Sequence, residues 1–129
     1  MTKNDRVALI TGGAQGIGFA TAKRFLETGF MGVVLVDRNA AKLKESAAGL
    51  SGLGAVETMT GELLDLTLPA RAMQLVESRF GRLDVLVNAA GNTERCGLDD
   101  TTPEAFERLF GVNVRAPMLD DHAWCAPWV

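Results

Sequence analysis

The residues with chemistry to offer begin at Thr11-Gly12-Gly13-Ala14-Gln15-Gly16-Ile17-Gly18, directly after the apolar run Val7-Ala8-Leu9-Ile10. Four apolar residues bounded by glycines predict a short buried strand. The residues after Gly18 predict a helix, which puts the glycines at a strand-to-helix turn. At such a turn glycine permits a sharp bend, lets a ligand phosphate approach the main chain, and lets the helix lie close to the strand. The helix N-terminus adds unpaired N–H groups and a partial positive charge. Taken alone, a GxxxGxG run is equally compatible with a plain glycine-rich loop. The flanking strand, the following helix and an acid at the right distance favour dinucleotide binding. That acid is Asp37, nineteen residues after Gly18 and at the end of the next apolar run. A carboxylate there accepts both hydroxyls of an adenosine ribose and repels a 2′-phosphate. The alternative is a turn or helix-capping aspartate before Asn39. Asp37 therefore favours NAD over NADP, a preference that Arg38 next door can soften by pairing with a phosphate.

The elements that must position these residues follow in order. Strand one is Val7 to Ile10, and a helix runs from about Gly16 to Thr28, with Gly29 as its stop. Val33-Val34-Leu35-Val36 is β-branched and apolar on both faces, as a central parallel strand must be, and it ends at Asp37. Ala40, Leu43, Ala47 and Leu50 recur at helical spacing, with Lys42, Lys44 and Glu45 outside that stripe. A third strand is expected within Glu57–Leu64, ending at Asp65, with Gly61 blurring its limits. Pro69 opens a third helix in which Ala72, Met73, Val76 and Phe80 share a face, and Gly81 ends it. Val85-Leu86-Val87 is the fourth strand. Thr101-Thr102-Pro103-Glu104 starts a last helix, with Glu104 placed for a capping box. Alternating strands and helices predict a doubly wound parallel sheet with right-handed crossovers.

In such sheets ligands bind beyond the carboxyl ends of the strands, where Asp65 and Asn88 also stand. On residue type alone, a helix cap for Asp65 and a turn role for Asn88 are as well supported as ligand contact. Asn113 falls on one helical stripe with Phe106, Leu109 and Phe110, which sets an amide on a core-facing row. A buried amide left unpaired costs about 1–3 kcal/mol, so Asn113 is either satisfied by nearby main chain or part of an active-site hydrogen-bond network.

Composition excludes several classes. The 129 residues suit one domain large enough to bury a core. A net charge of −3 with scattered Lys and Arg leaves no electrostatic footprint for nucleic acid. The apolar runs are too short to span a bilayer, and the polar start Met1-Thr2-Lys3-Asn4-Asp5-Arg6 has no signal-peptide core, so a cytoplasmic location is expected. Cys96 and Cys125 do not make a disulfide framework. There is no tyrosine.

Together, Thr11-Gly12-x-x-x-Gly16-x-Gly18, Asp37, Asp65-Leu66, Asn88-Ala89-Ala90-Gly91 and Asn113-Val114 resemble, in order and spacing, the short-chain dehydrogenase/reductase family. The likeness runs from about Asp5 to Pro117, roughly the first half of a usual member. It implies an incomplete Rossmann-type α/β fold of about four strands and four helices, with residues 1–118 as a partial NAD(P)-binding domain. It also implies hydride transfer between nicotinamide and a small alcohol or carbonyl. By the same resemblance Gly12, Gly16 and Gly18, with Gln15 and Ile17 between them, form the pyrophosphate turn, and Asp37 and Arg38 meet the adenosine ribose. Asp65 and Leu66 flank the adenine, Asn88, Ala90 and Gly91 shape the floor under the nicotinamide, and Asn113 is the asparagine of the catalytic tetrad.

The departure from the family is its serine and Tyr-x-x-x-Lys, which follow the Asn113 helix and have no counterpart here. In the family that tyrosine exchanges the substrate proton, with its pKa lowered by the lysine. The chain is therefore expected to be truncated and inactive, with a non-catalytic dinucleotide-binding module or a non-functional remnant as alternatives. Residues 119–129, which hold both tryptophans and the single histidine, read as a foreign tail outside the fold, the product of a frameshift or truncation. Asp121, His122 and Cys125 are types that bind zinc, but no second cluster completes a site and no metal is expected. Strand four becomes a sheet edge, and Phe106, Leu109 and Phe110 lose cover. A marginal chain prone to aggregate, or to form a homo-oligomer through that edge, is the expectation.

Overall fold

The computed structural model describes residues 3–91, 99 and 101–125. Cys96, Pro127 and Trp128 lie outside these residues. Strand β1 (Val7–Thr11) is buried at every position, as its unbroken apolar run requires. It pairs in parallel with β2 (Gly32–Asp37) on one side and β4 (Val85–Asn88) on the other, and β3 (Ala55–Thr60) extends the sheet beyond β2. The order is β3-β2-β1-β4, the doubly wound arrangement expected. The strand ends are level, since Thr11 lies beside both Val36 and Asn88, and Asp37 beside Thr60.

Helices α1 (Gly16–Glu27), α2 (Ala40–Leu50) and α3 (Leu68–Arg79) return the chain between strands. Alternate strand residues feed two cores, because successive side chains of a strand point to opposite faces. Ala8, Ile10, Val33 and Leu35 pack with Ala22, Leu26, Leu43 and Leu50 of α1 and α2. Val7, Leu9, Val34 and Val36 pack with Leu68, Ala72, Met73 and Val76 of α3. Asp84 fastens β4 to β1: its Oδ2 accepts the Val7 N–H at 2.8 Å, while Arg82 donates to its two oxygens at 3.0 and 2.6 Å.

Further along the chain come α4 (Pro103–Phe110), a π-helical turn at Gly111–Arg115, and α5 (Ala116–Cys125), joined without a break. The sheet thus has four helical runs around it among the described residues. Residues 119–125 continue α5, which lies against α3 and β4, and Asn88 Nδ2 donates to Asp121 Oδ1 at 3.2 Å. No helix among the described residues is long and apolar enough to cross a membrane.

Four local expectations are corrected. Strand three begins two residues before Glu57 and stops at Thr60, the last residue paired with β2, where the Gly61 N–H closes the ladder on the Asp37 carbonyl at 3.0 Å. The buried row of α2 is Leu43, Ser46 and Leu50, with Ala40 exposed. The last helix has no capping box: Thr102 is the N-cap and accepts from Ala105 at 3.1 Å, which leaves Glu104 one position short of reaching back. Finally, Asn113 is exposed and not core-facing, whereas the exposure of Phe106 and Phe110 on its row is the loss of cover expected. Both phenylalanines are 51% exposed, and their rings stack on each other with centroids 4.3 Å apart.

Candidate functional site

The turn between β1 and α1 is built on three glycines with three different duties. Gly12 has φ +68°, and a Cβ there would lie 2.7 Å from the Cα of Ala90, so the chain bends where the loop after β4 passes closest. Gly16, at φ +59°, meets no atom within 4 Å on its Cβ side, which leaves main chain open to a ligand. A Cβ at Gly18 would strike the Gly12 carbonyl oxygen, so only glycine lets α1 start this close to its strand. The end of the turn is further fixed by the N–H groups of Gly12 and Gly13, which donate to the Val36 carbonyl at 2.8 and 3.3 Å.

Gln15, the N-cap residue of α1, makes no side-chain cap, and the first turn of the helix holds no acidic residue. The first N–H groups of a helix have no partner within it, and the macrodipole adds partial positive charge there. Gln15, Gly16 and Ile17 at this end are exposed. That combination suits an anion such as a phosphate.

Across the level strand ends stands Asp37. Its Oδ2 accepts the Ala14 N–H at 3.2 Å and its Oδ1 accepts the Asn39 N–H at 3.1 Å. Asn39, not Asp37, caps α2, with its Oδ1 taking the Lys42 N–H at 3.0 Å. An open cleft of about 130 Å³ gathers Gln15, Val36, Asp37, Arg38, Gly61, Glu62, Leu63, Ala90, Gly91 and Val112. It lies beyond the carboxyl ends of the strands, beside β1, where the strand order reverses.

Of the residues singled out in the sequence, Gln15, Asp37, Arg38, Ala90 and Gly91 line this cleft, while Gly12, Gly16 and Gly18 shape the adjoining turn without lining it. Asn113 lies close by, its Oδ1 3.4 Å from where a Cβ on Gly91 would stand. Asp65 and Leu66 fall outside the lining. Because β3 ends at Thr60, Asp65 lands in the turn before α3, where Thr67 donates to it through main chain and hydroxyl and Arg71 pairs with it at 2.9 Å. These bonds, those from Thr67 foremost, hold its carboxyl below the usual carboxylate range. Asn88 is exposed and turned to Asp121.

Sequence reasoning missed Glu62, Leu63 and Val112 in the lining, and Ser46, whose hydroxyl bonds to the turn at Ala14. Ser46 carries a readable signal: a hydroxyl between Leu43 and Leu50 at helical spacing is a polar residue in an apolar row. Glu62 and Leu63 follow from Gly61 only once the true end of β3 is known.

A nicotinamide dinucleotide fits this donor set: open main chain and an uncapped helix end for its diphosphate, an oriented carboxylate for its ribose, and a cleft between them. The profile of the short chain dehydrogenase family matches residues 6–124. A short chain dehydrogenase/reductase of Gibberella zeae, dpfgG, is 36% identical over 115 residues, which cover 88% of this chain and 42% of that protein. Galactitol 2-dehydrogenase of Agrobacterium fabrum is 34% identical over 119 residues, 92% of this chain and 45% of that protein. The chain thus spans less than half the length of both curated relatives. The crystal structure of a metagenomic short-chain oxidoreductase in complex with NADP superposes with a TM-score of 0.88 at 33% identity, covering 97% of this chain and 57% of that one. On its profile, its relatives and its fold, the chain belongs to the short-chain dehydrogenase/reductase family.

Proposed function

We propose that these residues hold the dinucleotide of an oxidoreductase that moves a hydride between nicotinamide and a small alcohol or carbonyl, with NAD preferred over NADP. The observation that supports this most is a single cleft joining the uncapped start of α1 to the carboxylate of Asp37. In this reading the diphosphate lies on the main chain of Gly12, Gly16 and Gly18, with Gln15 and Ile17 beside it. Asp37 accepts the adenosine ribose hydroxyls, and Arg38 stands at the edge where a 2′-phosphate would sit. Leu63 offers an apolar wall on the adenine side, a place assigned from sequence to Asp65 and Leu66. Asn88, Ala90 and Gly91 form the floor toward the nicotinamide, with Asn113 next to Gly91 as the tetrad asparagine.

When bound, the nicotinamide ring supplies or takes up the hydride. The partner proton is general acid–base work that the family gives to a tyrosine, and these 129 residues contain none. The chain by itself is therefore expected to bind nucleotide without turning over substrate. That same absence favours the second reading, a dinucleotide-binding module without catalysis. NAD is preferred because Asp37 carries negative charge where NADP carries its extra phosphate.

Calorimetric titration with NAD and NADP tests the proposal. Saturable binding with NAD the tighter ligand is expected. Failure of a demonstrably folded sample to bind any adenine nucleotide at millimolar levels removes both readings. Turnover by the purified chain, with an alcohol and NAD, would remove the non-catalytic one.

A further inference from the structure

Helix α2 reaches the glycine-rich turn through one buried hydroxyl. Ser46 is 6% exposed, in the row between Leu43 and Leu50, and its Oγ donates to the Ala14 carbonyl at 2.6 Å. The N–H of that same Ala14 donates to Asp37 Oδ2 at 3.2 Å. The other carboxylate oxygen takes the N–H of Asn39, the residue that caps α2. The bonds form a circuit: from α2 to the turn, from the turn to the carboxylate, and from the carboxylate back to the start of α2. Ala14 is held at both its N–H and its carbonyl. A peptide is planar with its carbonyl and N–H opposed, so fixing the Ala14 carbonyl toward α2 also directs the Gln15 N–H away from that helix. Gln15 lines the cleft. The helix itself has no need of a hydroxyl here, since alanine is the better helix former.

We propose that Ser46 is a positioning residue for the nucleotide: its hydroxyl fixes Ala14, and Ala14 in turn orients the Asp37 carboxylate that selects the ribose. This rests on the nucleotide reading above and adds the residue that tunes its selectivity. Ser46 acts through Ala14 and Asp37 and touches no ligand.

The test is calorimetric titration of the 129-residue chain and its Ser46→Ala variant with NAD and with NADP. Loss of one hydrogen bond in the circuit is expected to lower the NAD-to-NADP affinity ratio by roughly three- to tenfold, mainly through weaker NAD binding. Ser46→Thr, which keeps the hydroxyl, restores most of the ratio. In an Asp37→Asn background, Ser46→Ala leaves the ratio where Asp37→Asn put it, because the two act in series. If both affinities fall together in Ser46→Ala and the ratio holds, the hydroxyl is only structural and the proposal is overturned. A further loss of ratio in the Asp37→Asn background overturns it as well. Where Ser46→Ala does not fold, Ser46→Cys, similar in size with a weaker donor, is read in the same way. A folded wild-type chain that binds neither nucleotide overturns the nucleotide reading and this proposal together; binding with an unmoved ratio overturns this proposal alone.

Discussion

The main-chain N–H of Ala14 lies 3.2 Å from Oδ2 of Asp37, so the loop leaving β1 is bonded to the side chain that ends β2. The bond is possible because the two strands are in register to their last residues, with Thr11 beside Val36. It presets the carboxylate. If Asp37 holds the ribose as proposed, an arriving hydroxyl meets an acceptor already oriented by two N–H groups, which avoids the cost of fixing a free side chain on binding.

Replacing Asp37 by asparagine keeps the size of the side chain and one oxygen for the Ala14 N–H, but removes the charge. Repulsion between a carboxylate and a phosphate a few ångströms apart is worth about 1–4 kcal/mol in a partly solvated site. Affinity for NADP is expected to rise by about tenfold or more, while NAD binds more weakly. Titration of both nucleotides against Asp37→Asn measures the pair of changes. An unchanged NADP affinity would contradict the role given to the charge.

Gly18→Ala tests the geometry of the turn without touching charge. The new methyl runs into the Gly12 carbonyl oxygen, a main-chain atom that cannot swing aside. Either α1 backs away from the strand or the turn opens, at a cost of about 1–3 kcal/mol typical of overpacking. Nucleotide binding is expected to vanish, with a lowered thermal midpoint seen by circular dichroism. Gly52→Ala, where nothing lies within 4 Å, is the control and leaves binding intact.

The sheet was legible in the sequence because its strands are apolar on both faces and its glycines punctuate the crossovers. Val7–Ile10 and Val33–Val36 have no reading as amphipathic helices of ordinary length, and both became central strands. β3 was harder, because at the sheet edge Glu57, Thr58 and Thr60 dilute the apolar pattern and Gly61 sits past its end. The carboxylate at Asp37 was readable from its distance to Gly18. The hydrogen bonds that orient it were not, since they join residues 23 apart through a turn whose shape depends on Gly12 and Gly18 together. The Phe106–Phe110 row shows the limit of periodicity. It correctly marks an amphipathic helix, yet spacing alone says nothing of what lies opposite its apolar face.

Asp84→Ala is expected to loosen the junction of β1 and β4. It leaves the Val7 N–H and the Arg82 guanidinium without this acceptor, and an orphaned partly buried donor costs about 1–3 kcal/mol. The Arg82 pairing and the Val7 N–H hold the Asp84 carboxyl below its ordinary value of 3.8. A carboxylate lowered by folding contributes stability above the unfolded pKa, and that contribution disappears as pH falls through the folded one. In urea denaturation, wild type and Asp84→Ala therefore differ most at pH 7, and the gap narrows as pH falls below 3.8. A gap that persists in acid would assign the loss to packing and not to the ion pair.

Asp120 on α5 predicts the opposite pH dependence. The residue is 6% exposed, and among the described residues its Oδ2 has no hydrogen-bond partner. Burial, with a smaller push from Asp121, raises its carboxyl from 3.8 to about 6. Between those two values the folded chain keeps a proton that the unfolded chain has released, so rising pH favours unfolding, and above about pH 6 the penalty is complete. A displacement of this size is on the order of 2–3 kcal/mol. The stabilising charge of Asp84 is fully present only above 3.8, whereas the Asp120 penalty grows from 3.8 to about 6, so these two groups together favour a pH near 4 over neutrality. Asp120→Asn, which cannot ionise, is expected to abolish the decline between pH 4 and 6 and to be the more stable protein at pH 7. Thermal midpoints measured across that range for both proteins decide the matter, and parallel curves would show that Asp120 is ionised in the folded chain throughout.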